Sequence, residues 1–372
     1  MMSNPDAPAT PPPDPDPDET VRITSMDPDR TVQLPTHDAD ETVQLTTRDA
    51  DETVRISDTS ETVRISDADE TVPVAAPERD ERVELSRAPA VGALYRRAVT
   101  ALLPRRRRPA AATRSEVEAP LPRTELLLQG VSVDREHLAA YDRVCGFRLT
   151  DTLPATYPHV LAFPLAMRLM TAPDFPFPLL GLVHVANRIS LLRPIDAGET
   201  LDLAVRTADA RPHARGRQFD VLATASVNGE PVWHDVSTYL RKEPTPTAGE
   251  RREPGDRPAP PAPTGQWRVN PHVGTAYARA SGDRNPIHTS RIGARLLGYP
   301  RPIAHGMWSK ARCLAALEGR LPEAYTVEVA FKVPIRLPGT VNFSATPAWD
   351  FSLHDPDSGA PHLLGSLRPV DA

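Results

Sequence analysis

The sequence predicts an α+β fold made of two copies of one unit, each a helix followed by antiparallel strands that wrap around it. Three observations point there. Of the 19 Phe, Tyr and Trp residues in this 372-residue chain, 18 follow residue 123 and only Tyr95 precedes it, which locates the core. A stretch over 244–264, PTPTAGERREPGDRPAPPAPT, holds 7 prolines and no bulky apolar residue, and so divides the core-forming part in two. The two parts then echo each other. LVHVANRISLLRPIDAGETLDLAVR (182–206) and TVEVAFKVPIRLPGTVNFSA (326–345) share an alternating pattern at a shift of 144, which pairs Val183 with Val327, Val185 with Val329 and Ile189 with Val333.

Residues 1–86 are expected to be a disordered acidic tail, with 22 Asp and Glu against 7 Arg. A five-residue phrase recurs in it, from ETVRI at 19–23 to ETVPV at 70–74, with a worn copy, ERVEL, at 81–85. The spacing between copies is 11 and then 9 residues, too variable for a stacked solenoid. Thr20, Thr31, Thr42, Thr53, Thr62 and Thr71 each carry an aliphatic residue three positions on, a pattern similar to phosphothreonine sites read by forkhead-associated domains. An unmodified copy could instead add as a strand to a partner's sheet edge. The tail is therefore read as a docking array for a protein partner of one of these two kinds.

Residues 87–123 form a basic linker, 9 Arg against 2 Glu, with Val91, Leu94, Tyr95 and Ala98 at helical spacing. We read 87–108 as a part-helical linker rather than a membrane contact. The near-absence of aromatics there and the acidic tail argue against nucleic acid. Cys145 and Cys313 lie far apart with no metal-ligand spacing and read as buried thiols. The acidic, proline-rich N-terminus is unlike a signal peptide, and no apolar run approaches the roughly 20 residues of a membrane span, so a cytoplasmic location is expected.

Each unit should carry one long helix, Gly306–Arg320 in the second (265–372) and Phe163–Met170 in the first (124–243). The chemistry is concentrated in the second unit. There, YARASGDRNPIH (277–288) is followed by PIAHGM (302–307). Ser-Gly-Asp-x-Asn-Pro-Ile-His with a downstream Ala-His-Gly-Met resembles the signature of the (R)-specific enoyl-CoA hydratases, or MaoC-like dehydratases. The two-copy layout resembles their double-hotdog branch, in which one copy has lost the motif. The resemblance covers about residues 124–372.

What it implies is a double hotdog that dehydrates (3R)-hydroxyacyl thioesters or hydrates trans-2-enoyl thioesters. The acyl group is carried on CoA or on an acyl carrier protein, no metal or redox cofactor is needed, and a homodimer is a candidate assembly. Asp283 and His288, five apart with Pro286 between them, can converge on one water and are the implied catalytic pair. Which of them takes the water proton stays open. The Gly306 N–H, at the start of a helix, is the implied oxyanion donor. Gly282 and Asn285 support the turn, and His305 is read as a structural neighbour. Phe175, Phe177, Leu179 and Leu180 are candidate linings of an acyl tunnel. His184 and His234 are read as satisfied sheet histidines. The first unit has no such motif around 141–152, so one site per chain is expected. A hotdog thioesterase and a non-catalytic interaction protein are the alternative functions.

Overall fold

The computed structural model describes residues 81–101, 120–179, 181–243 and 259–370. The first unit runs β2 (Thr124–Val131), α2 (Arg135–Cys145), α3 (Tyr157–Met170), β3 (Leu182–Leu191), β4 (Leu201–His213), β5 (Gly216–Val227) and β6 (Glu230–Lys242). The second runs β7 (Gly265–Val269), α4 (Val273–Ser281), α5 (Pro286–Thr289), α6 (Arg291–Leu296), α7 (Gly306–Leu317), β8 (Tyr325–Phe331), β9 (Gly339–Ala345), β10 (Phe351–His354) and β11 (Pro361–Pro369). Ahead of both lie β1 (Glu81–Leu85) and α1 (Val91–Ala101).

The strands form one sheet in the order β1-β2-β4-β5-β6-β3-β8-β11-β10-β9-β7. Apart from β1, the order reads alike from either end: first strand, then the second, third and fourth of the following group, with β3 and β8 meeting antiparallel at the seam. Ile189 faces Val327 there. Each half wraps its long helix. Helix α3 buries residues all around, Leu165, Met167 and Met170 among them, as a helix enclosed by a sheet must. Met307, Ala311, Leu314 and Leu317 of α7 are buried likewise.

Four expectations shift. Helix α3 begins at Tyr157 rather than Phe163, because Pro158 falls in its first turn, where a missing N–H costs nothing. Helix α7 ends at Leu317, ahead of Gly319 in the left-handed region at φ 83°. The echo at shift 144 stops at Phe331: Ile189 is fully buried in β3, whereas its partner in the pattern, Val333, lies past the end of β8 and is 44% exposed. Finally, Glu81–Leu85, assigned to the tail by composition, is a strand paired parallel to β2, with Val83 opposite Leu126 and Leu85 opposite Leu128. Its alternation sets Val83 and Leu85 against the core, and Arg82 Nε meets the buried Glu125 carboxylate at 3.1 Å.

Candidate active site

The site is built on a turn. Helix α4 ends at Gly282, whose φ of 77° is a left-handed cap that a side chain would strain, with its N–H on Ala278 O. The chain reverses there and presents Asp283. Its Oδ1 accepts the Asn285 N–H at 3.1 Å, an Asx-type turn. The Asn285 side chain then caps α5 by accepting the Ile287 N–H, with Pro286 in the first turn. One turn of α5 places His288 beside Asp283.

The tautomer of His288 follows from its partner. Nδ1 lies 2.8 Å from the Ile303 carbonyl, which can only accept, so Nδ1 carries the hydrogen and Nε2 keeps its lone pair. By the same argument His305 donates from Nε2 to the Asp283 carbonyl at 3.0 Å, and its buried Nδ1 has no hydrogen-bond partner among the described residues. The two imidazoles stack with centroids 3.7 Å apart.

Burial pushes His288 below the ordinary imidazole value, against the opposing charge of Asp283. Burial pushes His305 down further, to about 3, with His288 beside it. Burial works to raise Asp283, but the neighbouring imidazoles and the hydrogen bonds from Tyr95 and the Asn285 N–H outweigh it and hold the carboxyl below its usual value. At neutral pH the site is thus a carboxylate beside a neutral imidazole with a free Nε2.

Gly306 is the first residue of α7, where an N–H has no acceptor within the helix. A Cβ at this position would lie 3.1 Å from three ring carbons of Phe331, so glycine is what lets the ring and the helix start approach. Asp283, Asn285, His288 and Gly306 all line one cavity of about 290 Å³, which lies between the two halves and is walled on the other side by His159 and His184. Asp283, His288 and His305 bring ligand-type atoms within 4.8 Å of one another, close enough to share an ion.

The tunnel candidates fare differently. Phe175 and Phe177 do not line this cavity: both are buried, each with its ring centroid 5.2 Å from that of Phe219. In sequence, a core position and a lining position in an apolar run look the same. Leu179 packs against the same core. Val160, Phe163 and Leu182 line the cavity instead. Leu180 and the six tail threonines lie outside the described residues.

His234 has a partner in Thr224 Oγ1, whereas the buried Nε2 of His184 has none, contrary to the expectation that both are satisfied. Cys145 and Cys313 are buried free thiols. No helix among the described residues is long and apolar enough to cross a membrane.

Two features escaped the motif. Tyr95 of α1 donates its hydroxyl to Asp283 Oδ1 at 2.5 Å. The signal was present, because Tyr95 is the lone aromatic ahead of residue 124 and lies on the apolar face of a helical pattern. Lys310 of α7 is fully buried, with Nζ on Asn187 Oδ1 at 2.5 Å and on Val327 O at 3.0 Å. From Asn187 the network runs through Asp235 to His159 on the cavity wall. The sequence carries a signal for it, because Lys310 stands three residues after Met307 and four before Leu314, on the apolar stripe of its helix.

Comparison with known proteins agrees with this geometry. A MaoC like domain model matches residues 259–347. The chain is 37% identical over 252 residues to 3-hydroxyacyl-thioester dehydratase X of Mycobacterium tuberculosis, covering 67% of this chain and 90% of that protein. It is 25% identical over 191 residues to enoyl-CoA hydratase ChsH3 of the same organism, covering 49% of this chain and 66% of that one. The crystal structure of HtdX from M. tuberculosis matches with a TM-score of 0.60 and 34% identity, over 66% of this chain and 100% of that one. A MaoC-like dehydratase from Phytophthora capsici shares the fold at a TM-score of 0.54 and 20% identity, over 68% of this chain and 96% of that one. A relative matched over nine tenths of its own length, with a solved structure of the same double-hotdog layout, places the chain in the MaoC-like dehydratase family.

Proposed function

We propose that this chain hydrates trans-2-enoyl thioesters and, in reverse, dehydrates (3R)-3-hydroxyacyl thioesters, carried on CoA or a carrier protein in lipid metabolism. One observation carries the reading: a carboxylate and an imidazole with a bare Nε2 converge on one cavity whose wall includes a helix-start glycine. Asp283 accepts one hydrogen of a water and His288 Nε2 accepts the other. As that O–H bond breaks, the oxygen bonds to C3, and the C2=C3 electron pair shifts to leave an enolate on the thioester. The enolate oxygen takes the Gly306 N–H at the positive end of α7. The imidazolium then returns its proton to C2, which balances the addition and resets the base. His288 makes both proton transfers while Asp283 holds the water.

Crotonyl-CoA hydration, followed by loss of enoyl-thioester absorbance, tests this. Asp283→Asn and His288→Ala should each lower kcat by on the order of a thousandfold while the folded circular-dichroism spectrum is retained. Turnover within threefold of wild type in both variants would sink the reading.

A further inference from the structure

Helix α1 lies ahead of both hotdog units, outside the residues matched by the MaoC like domain model. Yet it reaches the catalytic turn. Its inward face is Val91, Leu94, Tyr95 and Ala98, the spacing of one helical stripe. Leu94 is 8% exposed and belongs to the core. Val91 lies against Gly282, the cap residue that precedes Asp283. Tyr95 then donates its hydroxyl to Asp283 Oδ1 at 2.5 Å, a distance typical of an O–H donor on a carboxylate.

Where the phenol stands decides its role. Asp283 lines the cavity and Tyr95 does not. The hydroxyl therefore reaches the carboxylate from behind, outside the space a substrate would fill. With the Tyr95 O–H and the Asn285 N–H both on Oδ1, that oxygen is committed to the protein. The oxygen left to meet a reacting water is Oδ2, which lies 3.8 Å from His305 Nε2. A carboxyl held at one oxygen by two donors can neither spin nor swap its two faces. Burial and the adjacent Asp283 charge both push the Tyr95 phenol up, so it remains a donor at any working pH.

We propose that Tyr95 is a positioning residue for the reaction: from a helix outside the family domain, it anchors Asp283 Oδ1 and so aims Oδ2 at the water shared with His288. The inference rests on the proposed catalytic role of Asp283. It also ties the site to the segment before it, because only residues 86–90 separate α1 from β1, the strand made from the worn copy of the tail phrase.

The test is Tyr95→Phe in the full chain, which keeps the ring and its packing and removes one hydroxyl. With crotonyl-CoA, kcat should fall on the order of tenfold while KM stays within about twofold, because Tyr95 touches no substrate. Asp283 is also faced by His288, His305, Tyr277, Tyr239 and His184, all unchanged in the variant. Its carboxyl-carbon signal, followed by NMR, should therefore titrate at a higher pH once a donor to the ionised form is gone.

An unchanged kcat overturns the proposal, as does a rise in KM alone, which would put the phenol in the substrate's path. A gain in activity also overturns it, since the hydroxyl would then be blocking the site. Asp283→Asn in parallel separates the two claims. An inactive Asp283→Asn beside an unaltered Tyr95→Phe rejects this inference alone, whereas an active Asp283→Asn rejects the catalytic reading beneath it.

Discussion

The two hotdog halves share a backbone plan and differ at two stations. In each, a short helix ends on a left-handed glycine, Gly146 at φ 85° after α2 and Gly282 at φ 77° after α4. The next residue is Phe147 in the first half and Asp283 in the second. The long helix opens Tyr157-Pro158 in one half and Gly306-Met307 in the other. In the first half both stations serve packing: the Phe147 and Tyr157 rings lie 6.4 and 5.3 Å from the ring of Tyr141. The Tyr157 N–H, at the position of Gly306, is already taken by the Pro154 carbonyl at 2.8 Å, and Pro158 after it has no N–H. The same topology thus holds a site in one half and an aromatic cluster in the other. The proposed chemistry is a property of two turns rather than of the fold.

After the loss expected at Asp283, the largest effect from breaking this contrast comes at the second station. Gly306→Ala would bring a Cβ to 3.1 Å from three carbons of Phe331, so the ring or the helix start must yield by a few tenths of an ångström. If Gly306 is the oxyanion donor proposed above, displacing its N–H by that much should lower kcat about tenfold. Adding Phe331→Leu, which removes the clashing ring atoms, should recover most of the loss. If the double variant stays as slow as the single one, the glycine matters for something other than its approach to Phe331.

A smaller and subtler effect is the acid limb of the rate profile. In the proposed mechanism His288 must be neutral to accept a proton, and burial holds it below the ordinary imidazole value. The rate kcat/KM should therefore stay level as pH falls through about 6.5, the unperturbed value, and decline only below it. A limb at or above that value would mean that burial does not dominate at His288. One above about 7 would mean that the imidazole is mostly protonated at neutral pH, so that the direction of proton transfer would have to be redrawn.

Much of this was legible because the informative residues constrain the backbone. Gly282, Asn285 and Pro286 dictate a cap, an Asx-type turn and a helix start, and Asp283 and His288 follow from the turn's geometry. The double unit was legible because strand alternation repeats at a fixed shift. What stayed hidden depends on contacts distant in sequence. Phe175 and Val160 are both apolar residues near the long helix, and only the packed fold shows that one lies under Phe219 and the other on the cavity wall. The ERVEL copy differs from its neighbours by the Arg82 that meets Glu125, a pairing invisible until β2 is placed beside it. Tyr95 stood out by composition, but its partner lies 188 residues away.

The last effect is on stability rather than on rate, and it tests whether the halves are one body. Lys310 belongs to the second half, but its Nζ is held by the side chain of Asn187 in the first, across the β3–β8 seam. Burial lowers this lysine to about 7 from 10.5, with Asp235 and Glu328 opposing the shift. Between those values the unfolded chain carries a proton that the folded chain lacks. The contribution of Lys310 to stability is therefore present above about 10.5 and is lost as pH falls through about 7. The ceiling is about 5 kcal/mol, about 1.4 for each pH unit of displacement. Thermal unfolding of wild type and Lys310→Met from pH 7 to 10 should show their difference in melting temperature changing steadily with pH, with wild type gaining relative to the variant as pH rises. A pH-independent difference would mean that Lys310 keeps its ordinary proton affinity when folded. The seam would then be solvated enough to carry its charge, and the halves would be neighbours rather than a single core.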